Sequence, residues 1–158
     1  MTTASVDSNG TVRDLLSLLV EKSGSLTALL VGKDGVSLTE AGDTSYLNTT
    51  AMAALTAAMF SATREVARMV GEKQFSVLLQ QGDNRHIHIS LIHDSTMMVI
   101  VFEDYQRIGL VRYEARRMGD EIAKALERET MRGEVSEVAT PRFKEYALNL
   151  IDKIFETQ

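Results

Sequence analysis

The chain has 158 residues, 44% hydrophobic and 25% charged, with 17 basic against 22 acidic side chains and a formal net charge of −5. That suits one soluble globular domain with a tail, since a chain of this size buries roughly 70% of its unfolded surface. The lack of any cysteine excludes disulfides, thiolate catalysis and Cys-ligated zinc or iron–sulfur centres. The acidic balance argues against nucleic acid as a partner, because phosphate neutralisation needs a basic field.

Residues 1–10 read as disordered. Met1 to Asp7 carry neither the basic n-region nor the apolar h-region of a signal peptide. The longest strand-like apolar run, Met97 to Phe102, is far short of the ~20 residues of a membrane span. A cytoplasmic protein without membrane insertion is the expectation. Thr11 is the first N-cap candidate, followed by the helical period Val12, Leu15, Leu16, Leu19 and a stop at Gly24. Leu26 to Val31 predicts a buried strand, Lys33-Asp34-Gly35 a hairpin turn, and Val36 to Thr39 the returning strand. After a loop, Asn48 or Thr49 caps a long helix that runs to Val70 and stops at Gly71. Three strands follow, Phe75 to Gln81, Arg85 to Ile92 and Thr96 to Phe102, joined by turns short enough to force antiparallel pairing. A third helix spans Gly109 to Arg128, residues 129–140 are a polar linker, and Pro141 opens a last amphipathic helix over 141–158. The architecture predicted is α+β with one antiparallel sheet.

The second helix is apolar almost all round: ten of the twelve residues from Ala51 to Ala62 are apolar. Met52, Leu55, Met59, Ala62, Val66 and Met69 form the stripe expected to face the sheet. The opposite face carries Ala53, Ala57 and Ser61, then Arg64 and Arg68, with Phe60 exposed on a flank. Small residues at i, i+4, i+8 let another backbone approach, so this helix is read as buried twice, on its own sheet and on a partner. A solvated alanine-rich face is the blander alternative. Phe75, Val77 and Leu79 lie in a strand with little edge protection, which tends to pair with something. An edge-to-edge homodimer satisfies both features.

No active site is evident. His86 and His88 share a strand face and could chelate a metal, but lack a third ligand; a polar face against solvent or under a helix is the simpler reading. There is no phosphate-binding glycine loop and no nucleophile elbow. The expectation is therefore no catalytic, metal-binding or cofactor-binding residue, and no cofactor.

The ordered set Leu29-Leu30-Val31-Gly32-Lys33-Asp34-Gly35, Asn48 to Ala57, Gly71 to Phe75, Val99 to Asp104 and Ile108 to Arg112 resembles the roadblock / dynein light chain family over about residues 11–127. Within that family it most resembles the bacterial MglB type. The resemblance implies a roadblock-type (profilin-like) five-stranded antiparallel sheet with helices on both faces, over 11–128, plus the C-terminal helix. It implies a homodimer, at a cell pole, that docks a small Ras-like GTPase of MglA type and stimulates GTP hydrolysis without donating a catalytic group. A non-catalytic scaffold for other roadblock or polarity proteins is the alternative, and a sensor-like ligand domain a weaker third. On this reading Ala57, Phe60, Ser61, Arg64, Glu65 and Arg68 meet the GTPase. Ser61 and Glu65 stand where the family's docking face carries small residues, and the size and charge of Glu65 would alter docking. The C-terminal helix, through Phe143, Tyr146, Leu150, Ile151, Ile154 and Phe155, either folds onto a partner and aids nucleotide exchange or packs back on the first and third helices.

Overall fold

Two continuous apolar runs make the centre of the sheet. Thr27–Gly32 (β1) and Thr96–Phe102 (β5) are buried at every position, as strands covered on both faces must be. The computed structural model describes the backbone of residues 8–93 and 95–139 and the side chains of 11–93 and 95–131. Ser8–Ser23 forms α1, and β1 pairs antiparallel with β2 (Ser37–Gly42). Thr49–Met69 forms α2, followed by β3 (Val77–Gln81), β4 (His86–His93) and β5. A 3-10 turn at Tyr105–Arg107 then leads into α3 (Ile108–Ala139). The strand order is β2-β1-β5-β4-β3, with every neighbouring pair antiparallel. The expected α+β sheet with helices on both faces is what forms, and β3 is one of its two edges.

Period-2 alternation assigns side chains to two layers. Leu29, Val31, Ile89, Met97 and Val99 pack with Ala53 and Phe60 of α2 in one buried cluster. The alternate positions Leu30, Met98, Ile100 and Phe102 are fully buried on the other face, as are Leu16 and Leu19 of α1 and Val111 and Ile122 of α3. Gly119 lets α3 approach this face closely: a Cβ there would stand 3.1 Å from Ile92 Cγ2.

Besides strand ends shifted by up to three residues, two helix boundaries differ from expectation. The first helix begins at Ser8, so Thr11 lies inside it rather than capping it. Residues 129–139, expected as an aperiodic linker, continue α3. A lone glycine costs a helix only about 1 kcal/mol against alanine, and Gly133 is the sole breaker before Pro141. The chain divides into Met1–Ala125 and Leu126–Gln158. In the second unit the Thr130 hydroxyl donates to the Leu126 carbonyl at 3.1 Å. Residues 141–158, and with them Phe143, Tyr146, Leu150, Ile151, Ile154 and Phe155, lie outside the described residues. Among the described residues no helix is long and apolar enough to cross a membrane.

Candidate partner-docking surface

The helix that carries the surface is fixed at both ends by local chemistry. Before it, the Thr27 hydroxyl bonds the Asp43 carbonyl at 2.5 Å and the Tyr46 hydroxyl at 2.6 Å. The Ser45 hydroxyl and backbone N–H both donate to the Asp43 carboxylate, holding its pKa below the usual carboxylate value. Asn48 is the N-cap, its side chain accepting from the Ala51 N–H at 3.0 Å. At the far end Gly71 adopts a φ of +85°, while Glu72 N–H donates to Ala67 and Gly71 N–H to Arg68. These are the two bonds of a Schellman motif, and glycine enters that left-handed region without steric cost.

The face of α2 turned inward is not the one expected. Ala53, Thr56, Phe60 and Ala67 are buried, whereas Leu55, Val66 and Met69 are exposed, at 63%, 52% and 85%. Phe60, expected on an exposed flank, retains 8% of its surface and belongs to the core cluster. The reason is the β1–β2 turn. Gly35 has a φ of +83°, and a Cβ on it would sit 3.3 Å from Ala54 Cα and 3.6 Å from Ala57 Cβ. The small residues thus admit the chain's own hairpin backbone. The sheet beneath already supplies large side chains, so one Phe fills the remaining space. Leu55, Val66 and Met69 are left outside, while Met52 and Met59 of the expected stripe pack half-buried against the cluster.

Four of the expected docking residues come together. Ala57, Phe60, Ser61 and Arg64 line a cavity of about 110 Å³ with Lys33, Ser95, Leu91 and Met97. Lys33 and Ser95 were not foreseen. They belong to the β1–β2 and β4–β5 turns, which a hydrogen bond from Lys33 N–H to the Ser95 carbonyl ties together at 2.8 Å. The antiparallel order of β1 and β5 already places those turns at one end of the sheet, and that was the available signal. Glu65 and Arg68 stand apart from the cavity, paired with each other at 2.9 Å on the exposed surface.

The remaining expected residues lie along β3. Val77 and Leu79 are exposed and Phe75 is half-buried just before the strand. Gln80 Nε2 lies 3.2 Å from Met59 Sδ, which joins the edge strand to the flank of α2.

The histidine pair lies under α3. His86 and His88 are 3% and 2% exposed, on the sheet face opposite α2. The His86 ring centroid lies 5.2 Å from Phe102 in a tilted contact and 5.1 Å from Tyr105 edge-on. Burial, then the charge of Arg112, lowers the pKa of His88. Among the described residues no group of three or more His, Asp or Glu could hold a metal ion.

This fold is shared. MglB of Myxococcus xanthus superposes with a TM-score of 0.72 at 25% identity, over 75% of this chain and 96% of that one. The gliding protein MglB of Thermus thermophilus gives 0.73 at 21%, over 77% and 93%. A Roadblock/LC7 domain from Streptomyces avermitilis gives 0.63 at 19%, over 73% and 97%. No curated protein matches the chain significantly. The Roadblock/LC7 domain pattern itself matches residues 11–102, more than half the chain and every strand of the sheet, and on that ground the protein belongs to the Roadblock/LC7 domain family.

Proposed function

We propose that this protein is a regulatory adaptor that works as a homodimer on a small Ras-like GTPase of MglA type, promoting GTP hydrolysis without catalytic residues of its own. The observation that carries the reading is the division of α2 into two accessible surfaces. One is the outward apolar stripe of Leu55, Val66 and Met69 on a helix that touches the open β3 edge through Met59 and Gln80, while Val77 and Leu79 lie exposed on the other face of that edge. A second copy pairing there would cover both, and a stable interface buries about 800 Å² per partner. The other is the turn-side flank, where Ala57, Ser61 and Arg64 surround a cavity floored by Phe60. The GTPase would seat on that flank, with Phe60 shaping it from beneath. Arg68 would set association rate together with Arg64.

Phosphoryl transfer depends mainly on positioning and charge stabilisation, so a protein that fixes the switch loops accelerates hydrolysis without entering the reaction. The likeness to MglB supports the choice of partner class.

Mixing the purified protein with a GTP-loaded MglA-type GTPase and measuring phosphate release tests the reading, alongside light scattering for the dimer. Stimulated release that is lost in Ala57→Arg is expected. Binding without stimulation would leave the scaffold function; no binding, or a 17.5 kDa monomer at micromolar concentration, would end the proposal.

A further inference from the structure

The face of the sheet away from α2 holds a second cavity, of about 390 Å³, between β3–β4 and the flank of α3. That is within the range of small-molecule sites. Its lining combines three kinds of group. Val77, Ile92 and Ala115 supply apolar surface. His88 and Ser90, 2% and 8% exposed, supply polar atoms that find no partner on another residue: neither His88 Nδ1 nor Ser90 Oγ bonds a neighbouring side chain or another residue's backbone. Buried polar atoms are nearly always paired, so two orphans in one cavity are unusual. Arg112 and Arg116, one helical turn apart, supply two guanidiniums. Neither makes an ion pair with another described residue. Asp120 is the one carboxylate among the described lining residues, and it leaves the site net positive.

We propose that this cavity binds a small organic phosphate monoester, with the phosphate on Arg112 and Arg116 and the organic body against His88, Ser90 and the apolar wall. A dianionic phosphate matches two guanidiniums, whose forked donors bind phosphate oxygens in pairs; a carboxylate occupies only one such fork. His88 is held neutral by its surroundings, so its ring presents one N–H and one lone pair to the ligand rather than a third positive charge. The Ser90 hydroxyl both donates and accepts. The volume exceeds what inorganic phosphate would fill, which is why an ester is assigned. This site lies across the sheet from the cavity on α2 and shares only Val77 with the edge proposed for a second copy.

The test uses the full chain in its own oligomeric state, titrated with phenyl phosphate, benzoate and benzyl alcohol at constant ionic strength. Heat of binding and His88 ring resonances are followed. Phenyl phosphate should saturate one site per chain and shift the His88 resonances, with benzoate weaker and benzyl alcohol inert. Arg112→Gln with Arg116→Gln should weaken phenyl phosphate by at least about tenfold, having removed both charge-assisted forks, while the oligomeric state holds. Ser90→Ala, which leaves both charges, should weaken it less. Absence of saturable binding, equal affinity in the double Arg variant, or equal affinity for benzoate would each overturn the assignment. Capture by phosphatidate vesicles without binding of the soluble ester would overturn it too.

Discussion

The two faces of β4 are finished in opposite ways. Ile87, Ile89 and Leu91 turn to the α2 side, where Ala53, Phe60 and the Gly35 turn close the layer without an orphaned polar atom among the described residues. His86, His88 and Ser90 turn to the α3 side, where each buries a side-chain atom without a hydrogen bond to another residue, as does Glu114 of α3. One face is packed by shape alone; the other keeps unused bonding capacity in a place water hardly reaches. The contrast separates two ways of being buried: the first kind of position answers to volume, the second to charge and protons.

Substitution should divide along the same line. Phe60→Ala removes the largest α2 side chain in the core, and a cost of about 3–5 kcal/mol in denaturant unfolding is expected; Leu55→Ala, on the outward stripe, should change the stability of the isolated subunit by well under ~1 kcal/mol. A Phe60 variant no weaker than the Leu55 one would reverse the assignment of helix faces. Gly35→Ala combines a positive φ with contact against the α2 backbone, so a loss of about 1–2 kcal/mol is expected. Asn48→Ala, which frees the Ala51 N–H, should cost about 1 kcal/mol in the same assay.

The α3 side should respond to pH instead. The folded-state pKa of His88 lies below its ordinary 6.5. The unfolded chain therefore binds more protons in the window beneath 6.5, and stability falls as pH drops through it. At higher pH this group contributes no slope. His88→Gln should flatten that part of the stability–pH curve, as read by urea midpoints; an unaltered slope would mean that His88 is not the group responsible. The smallest effect belongs to the exposed Arg68–Glu65 pair, where Glu65→Gln should change stability by no more than about 0.5 kcal/mol.

Much of this was written in the chain. Unbroken apolar runs announced β1 and β5, the short turns forced antiparallel neighbours, and the lack of Pro or charge in Phe75 to Leu79 marked an edge. The facing of α2 was not legible, because apolar periodicity favours the bulkiest stripe as the buried one. The sheet took the small stripe and kept only Met52 and Met59 of the bulky one half-buried against it, since Gly35 must pass within contact of Ala54 and Ala57. That constraint is tertiary and leaves no mark within the helix itself. The candidate docking residues were half legible for the same reason. Ala57, Ser61 and Arg64 were found from helix spacing, while Lys33 and Ser95 required knowing which turns lie together. The α3 cavity was missed because His88 and Ser90 are two apart on a strand while Arg112 and Arg116 are four apart on a helix. Only the packed layer brings those spacings into one place.

The open β3 edge has a further consequence. Backbone hydrogen bonds along an edge do not read sequence, so this strand would accept any chain of matching register. Discrimination must then come from side chains that flank the ladder. Val77 and Leu79 on one face of the strand, and Leu55, Val66 and Met69 on α2 at the other face of the sheet, are exposed apolar positions available for it. A cell that makes several proteins of this shape has to keep them from pairing with one another. In such a set these five positions work as an address, and exchanging them between two homologous chains should redirect assembly while leaving both folds intact.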